Sequence, residues 1–159
     1  MAAETMNAAA ERFAGQGVES IFLYTHEAHP GEYYRHLTSM EQKFQHAGAL
    51  RDELGVNRPI LLDALDGACH RAYGSMPNMT WILNRAGTAL YKASWTDADS
   101  VVDALEYYLH VPERRKQGKR LSPFQVERLE YRVSDRDAFY RGLERNGPKA
   151  VEEFRKAIG

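Results

Sequence analysis

Two stretches of the sequence gather side chains that can move protons, hold a metal or attack an electrophile. In Thr25-His26-Glu27-Ala28-His29-Pro30-Gly31-Glu32, two imidazoles and two carboxylates share one polar loop, with His36 a little further on. Imidazole and carboxylate are ordinary ligands of divalent metals, but this spacing is no metal signature. The plainer alternative is a polar loop whose histidines bond to backbone. No metal and no cofactor is expected. The second stretch holds Cys69, the one cysteine, followed by His70. In the first turn of a short helix predicted over 67–73, the helix dipole and unpaired amides could activate the thiol. The alternative is a small buried residue packed beneath the following turn, the commonest fate of a free cysteine.

The elements that must position these groups follow from local patterns. Alanine-rich residues 2–14, with Met6, Ala10 and Phe13 on one face, predict a helix stopped by Gly15 and Gly17. Residues 18–25 are a β-branched and aromatic run, read as a strand buried on both faces of a parallel sheet. The His26 to Glu32 loop then leaves the carboxyl end of that strand, where open α/β sheets place their chemistry. Residues 39–54 predict a helix capped by Ser39, with Phe44, Ala47 and Leu50 turned inward and Gly55 at its end. A second buried strand is expected over 59–63, and Asp66 is expected to cap the short helix that follows. Strands over 79–83 and 88–93 form a hairpin around Asn84-Arg85-Ala86-Gly87, with Gly87 at positive φ. A helix capped by Thr96 is predicted to run through Leu109, with Val101, Leu105 and Leu109 repeating every four residues. Beyond it, 112–120 is charged, and 124–133 fits either strand or helix. Helices are predicted from Ser134-Asp135 to about Arg145 and from Pro148 to Ala157, broken at Asn146-Gly147.

At 159 residues and 43% hydrophobic, the chain can bury one real core. We expect a domain over 1–109 and a basic, mainly helical extension over 110–159. Residues 110–159 carry 13 Lys and Arg against 8 Asp and Glu, whereas residues 1–109 carry 8 against 14. A +5 tail can track phosphate or an acidic partner, but its charges mix signs as a solvated helix face does. No aromatic platform accompanies them, so nucleic acid is not an expected partner. No membrane span or secretory signal is visible, and the single cysteine fits a reducing compartment. A cytoplasmic location is expected.

The order helix, strand, helix, strand, short helix, proline turn, hairpin, helix resembles the thioredoxin-like superfamily. More narrowly, Tyr24-Thr25-His26-Glu27-Ala28-His29-Pro30-Gly31-Glu32, Asp63-Ala64-Leu65-Asp66-Gly67 and Tyr73-Gly74-Ser75-Met76-Pro77-Asn78 resemble the bacterial relatives of the iodothyronine deiodinases over residues 2–109. The most specific part is Glu27-Ala28-His29, which matches that family's Glu-Ala-His, where the histidine lies beside the redox centre. The resemblance implies an α/β, thioredoxin-like fold and a cis Met76-Pro77 bond. It also implies His29 as general acid or base with Glu27 beside it, and Cys69 as the remaining candidate nucleophile. A small-molecule substrate would be held by His26 and by Met76, Pro77, Asn78 and Thr80 at the proline turn. For Asn78 and Thr80 the alternative is that they only satisfy the turn and strand. Trp81, Phe22 and Tyr24 have the spacing of core strand residues rather than of a ligand platform, and Trp95 could line a pocket or simply pack.

In the deiodinase-like pattern a selenocysteine or cysteine ends the first core strand, directly before the first helix. This chain begins with what resembles that helix, so no residue inherits the role, and Asn78 stands where the family carries an acidic residue. The thioredoxin-like fold is therefore expected to be incomplete, lacking its first core strand between the strands at 19–25 and 79–84. Unpaired interior edges are costly. Three remedies are open: the two strands meet directly, residues 124–133 or a partner chain fill the gap, or an upstream part of the protein supplies the strand. We expect a homodimer whose second copy helps to close the core. Functionally, one reading is an oxidoreductase-derived enzyme, redox or non-redox, acting on a small molecule between the His26 to Glu32 loop and the Pro77 turn. A lone thiol would need an external thiol to cycle. The other reading is a catalytically silent binding or assembly module using the thioredoxin-like surface and the basic tail.

Overall fold

The computed structural model describes residues 2–158. Among these, the chain is mixed α/β, with six helices and two small separate sheets. Helix α1 (Ala2–Ala14) buries Ala9 and Phe13, and Asn7 Nδ2 donates to the Gly55 carbonyl at 2.6 Å, tying α1 to the loop after the next helix. Strand β1 (Phe22–Tyr24) pairs in parallel with β2 (Ile60–Leu62), in the register Phe22↔Ile60, Leu23↔Leu61, Tyr24↔Leu62. Both strands are shorter than the sequence predicted. Within the described residues β1 has a neighbour on one edge only, so residues 18–21 have no ladder to join.

Between them runs α2 (Met40–Asp52), capped as expected: Ser39 Oγ accepts from the Gln42 amide at 3.1 Å. Its inward face differs from the prediction. Phe44 is 68% exposed, while Lys43, His46 and Ala47 are buried. Lys43, His46, Ala47 and Leu50 hold the i, i+3, i+4, i+7 positions of one stripe, and Phe44 lies one step, about 100°, away from it. Position on the helix overrode hydrophobicity, putting two polar side chains, Lys43 and His46, where aliphatic ones would be expected.

Helix α3 (Ala68–Tyr73) starts from Gly67 at φ +70°. Asp66 accepts from the Ala68 amide at 3.2 Å, but the stronger capping comes from outside the turn. Asp63, just past β2, accepts from the Cys69 amide at 3.0 Å and the His70 amide at 2.8 Å. The chain then turns through Gly74 (φ +119°) and Ser75 (φ +62°) into Met76-Pro77. No peptide bond among the described residues is cis, so the Met76-Pro77 bond is trans, correcting the expectation. The two left-handed residues reverse the chain ahead of the proline, the job assigned to the cis bond.

The hairpin forms as predicted, from β3 (Thr80–Leu83) and β4 (Ala89–Ala93) in antiparallel register. Asn84 Oδ1 accepts from the Ala86 and Thr88 amides, both at 2.9 Å, and Gly87 takes φ +79°. Helix α4 (Ala98–Lys116) is capped by Asp97, whose carboxylate accepts from the Ser100 amide at 3.0 Å, and not by Thr96. The helix also runs past Leu109, through Pro112. Proline removes one N–H from the ladder, while the helix formers at 113–116 and the basic last turn of Arg114, Arg115 and Lys116 favour continuation. Residues 119–135 form neither helix nor strand.

The two final helices, α5 (Arg136–Arg145) and α6 (Pro148–Ile158), start where expected, with Asp135 capping the Ala138 amide at 2.8 Å. The structure divides into two units. Residues up to Pro77 fold together with those from Asp135 onward, and residues 78–134 form the second unit. The division does not fall at 109/110: the last two helices belong with β1, β2 and their loops. Among the described residues β1–β2 and β3–β4 are separate two-stranded sheets, and residues 124–133 belong to neither. No helix among the described residues is long and apolar enough to cross a membrane.

Candidate functional site

The loop after β1 is held by residues more than a hundred positions away. Asn146, between α5 and α6, donates from Nδ2 to the His29 carbonyl at 2.9 Å and the Tyr34 carbonyl at 3.3 Å, and its Oδ1 accepts from the Tyr34 amide at 2.6 Å. Its own carbonyl accepts from the Glu32 amide at 2.9 Å. One asparagine thus supplies both donor and acceptor, as a neighbouring strand would. Glu32 is neither free nor metal-directed. Its carboxylate accepts from the Lys149 amide, at 3.0 Å to each oxygen, capping the first turn of α6 from a distant loop. Asn146-Gly147-Pro148 reads in sequence as a helix break, and nothing local marks Asn146 as a clamp.

Beneath this loop lies a cavity of about 220 Å³ whose polar lining includes Glu27, His29, Tyr34 and His46, walled by Leu50, Leu54 and Leu143. Glu27 and His29 were legible as candidates; Tyr24 and His46 complete the group. The Tyr24 hydroxyl donates to Glu27 Oε1 and lies 3.1 Å from His46 Nδ1, and that nitrogen is 3.7 Å from Glu27 Oε1. A phenol has one proton. With it given to Glu27, His46 Nδ1 must be the donor to the phenol oxygen, which assigns its tautomer. Burial and the hydrogen bond to Glu27 hold the Tyr24 phenol well above its ordinary ionisation range, so it stays a donor. Tyr34 sets its ring edge-on to His46 at 5.2 Å, and its hydroxyl donates to Glu53 at 3.0 Å. Arg145 pairs with the same Glu53, so this cation is already neutralised.

The ring of His29 packs against Phe154 at 5.2 Å and Phe139 at 6.0 Å. Burial lowers its pKa, with Glu27 opposing weakly, so the folded protein holds the imidazole neutral at pH 7. The unfolded chain takes up the proton near the ordinary value of 6.5, so it binds more protons than the folded state as pH falls through that value. Stability from this residue is therefore full above that pH and declines below it. His29→Asn is expected to shrink the loss of thermal midpoint measured between about pH 7.5 and pH 5.5; an unchanged loss would place that loss elsewhere.

A second group gathers His26, Cys69, His70 and Met76. The rings of His26 and His70 are 5.1 Å apart, and His70 Nε2 lies 2.8 Å from the Met76 carbonyl. The His26 pKa is lowered by burial and by the neighbouring His70 and Lys43. Cys69 is half-buried. The amides of its helix that could stabilise an anion are already taken by Asp63, which weakens the reading of this thiol as a nucleophile. Burial opposes ionisation of Asp63, but the His70 and Cys69 amides outweigh it and the carboxyl pKa is net lowered, helped by Lys43. Lys43 is fully buried and donates from Nζ to the Thr25 carbonyl; its pKa is lowered by burial against the pull of Asp63.

The remaining candidates serve the second unit or its entrance. The Asn78 carbonyl accepts from Thr96 Oγ1 at 3.2 Å, and Thr80 Oγ1 bonds the same hydroxyl at 2.7 Å. Both are therefore engaged in joining the turn to the start of α4. Pro77 is exposed. Among the described residues no three His, Cys, Asp or Glu side chains group so as to hold a metal ion. No protein-family model, no curated protein and no solved structure matches this chain.

Proposed function

We propose that this chain is a thioredoxin-type, oxidoreductase-derived enzyme that performs proton-transfer chemistry, not thiol redox, on a small molecule in the cavity behind the His26 to Glu32 loop. The observation that carries the reading is the hydrogen-bonded set of buried Tyr24 and His46 with half-buried Glu27, of which Glu27 and His46 line a largely apolar cavity. Glu27 is the group to take a proton from substrate, oriented by the Tyr24 hydroxyl, which His46 Nδ1 orients in turn, and neutral His29 is the partner able to hydrogen-bond a substrate oxygen or to accept a second proton. A coupled acid and base under a partly apolar roof is the arrangement proton abstraction needs.

Cavity size constrains the substrate. A volume of about 220 Å³ is equivalent to roughly seven waters at ~30 Å³ each and falls below the usual ~300 Å³ floor for drug-sized ligands. A compact, uncharged or singly polar molecule fits better than a two-ring phenol, the more so because Arg145 is spent on Glu53.

The test uses a fragment set of compact hydroxy, keto and amide compounds, read by the ring and amide NMR signals of the intact protein. Binders are expected to move Glu27, His29, His46 and Leu50 together, and Glu27→Gln is expected to weaken them about tenfold or more. Binders that perturb only residues 78–134 would overturn the reading. A second reading, an assembly module without catalysis, is favoured by one feature, the exposed apolar segment over 124–133.

A further inference from the structure

Between α4 and α5 the chain reads Phe124-Gln125-Val126-Glu127-Arg128-Leu129-Glu130-Tyr131-Arg132-Val133. Its large apolar side chains stand almost fully in solvent: Phe124 is 82% exposed, Leu129 81%, Tyr131 91% and Val133 95%. Scattered exposed apolar residues are ordinary, but a contiguous run of this density marks an interaction surface. Among the described residues, no backbone-to-backbone hydrogen bond involves residues 120–134, so the segment presents unpaired amides and carbonyls as well. From Arg128 to Val133 the pattern alternates charged and apolar, and the apolar members are strand formers. The segment is not adrift: the Arg132 guanidinium stacks on Trp95 at 4.2 Å, and Arg128 pairs with Glu130.

We propose that residues 128–134 pair antiparallel with the same residues of a second copy of this chain, about a two-fold axis through Tyr131. The sequence is self-complementary in that register. Leu129 lies opposite Val133, Glu130 opposite Arg132, and Tyr131 opposite itself, so two apolar pairs and two opposite-charge pairs form at once. Neighbouring registers fail. Centring on Glu130 sets that carboxylate against its own copy and Arg128 against Arg132. Centring on Leu129 keeps opposite charges at Arg128 and Glu130 but sets Glu127 against Tyr131, Gln125 against Val133 and Val126 against Arg132, losing both apolar pairs, and centring on Arg132 opposes two guanidiniums. Alternating charges normally protect a strand edge from unwanted pairing; here they select one partner, an identical strand running the other way, which is the isologous contact of a two-fold dimer. Pairing residues 128–134 covers Leu129, Tyr131 and Val133 on both copies, on the order of 500 Å² of apolar surface, so the backbone ladder and the charge pairs must supply the rest. This inference stands independently of the acid and base reading of the cavity.

Sedimentation velocity on the full chain tests it. The wild type is expected to be a dimer at about 10 µM, and Glu130→Lys, which sets like charges against Arg132 at two symmetric places, is expected to weaken dimerisation about tenfold. The double exchange Glu130→Lys with Arg132→Glu restores opposite charges and should return the dimer. In a Cys69→Ser background, Tyr131→Cys should cross-link to itself on oxidation, whereas Leu129→Cys, which faces Val133, should not. A monomer up to about 100 µM, a dimer indifferent to Glu130→Lys, or equal cross-linking at both positions would each overturn the proposal.

Discussion

Asn146→Ala is expected to destabilise the protein by about 2 kcal/mol, because two part-buried backbone groups lose their partners at ~1 kcal/mol or more each. Those groups are the carbonyl of His29 and the amide of Tyr34, while the Tyr34 carbonyl keeps the Gly31 amide at 2.9 Å. Asn146 is itself 8% exposed, so water does not readily replace the missing amide. In a chain of this length that loss lowers the thermal midpoint by roughly 4–8 °C. Gly147→Ala attacks the same junction from the other side. Gly147 sits at φ +99°, and an added Cβ would lie 2.2 Å from Glu32 Oε2 and 2.9 Å from Glu32 Cδ. The carboxylate cannot simply swing clear without releasing the Lys149 amide it caps. Left-handed strain of about 1–2 kcal/mol and a lost cap of about 1 kcal/mol add to a comparable penalty. Thermal unfolding of both variants checks this, together with amide exchange across 29–34. A midpoint change under about 2 °C for Asn146→Ala would mean the loop holds itself.

Asp63→Ala should be the more damaging substitution, at about 3–5 kcal/mol, because the two amides it bonds lose a charged acceptor worth ~1.5–3 kcal/mol each. The carboxylate is 3% exposed, ends two amides of α3, and is the acid nearest the fully buried Lys43 in its electrostatics. Without it, Lys43 keeps its charge in a low-dielectric site with only the Thr25 carbonyl to satisfy it. Adding Lys43→Met should therefore recover part of the loss, and the double variant should be more stable than the two single effects predict. Strict additivity in urea denaturation would show that the two groups do not act together. The pH dependence has a definite sign. Because the folded Asp63 pKa is depressed below its ordinary 3.8, its contribution is full above that value and fades as pH falls through the lower folded one.

What the sequence disclosed and what it hid divide along chain separation. Ser39, Gly87, Asp135 and Pro148 act on residues at most a few positions away, and each performs the role its type and place imply. Thr96 and Asp97 compete for one cap within two residues; the carboxylate wins because the threonine hydroxyl is engaged by Thr80 and Asn78. Distant relations were not legible. His46 meets Tyr24 from 22 positions away, and Asn146 meets His29 from 117. Lys43 and His46 on the inner stripe of α2 were the available sign of a polar centre under the loop, since polar residues at core positions need partners. Hydrophobicity at Phe44 obscured it. The trans geometry of Met76-Pro77, against the cis bond expected on resemblance, was likewise not legible, because Gly74 and Ser75 supply the turn.

The interleaving of the two units also bears on synthesis at the ribosome. Residues 78–134 form a continuous unit, so its internal partners are all present soon after α4 emerges. The His29 loop has no such neighbourhood. Its clamp is translated 117 positions later, a delay of about 6–23 s at 5–20 residues per second. During that interval the nascent chain carries an unclosed cavity upstream of a finished hairpin, and chaperone occupancy should concentrate on the first 77 residues until Asn146 clears the exit tunnel.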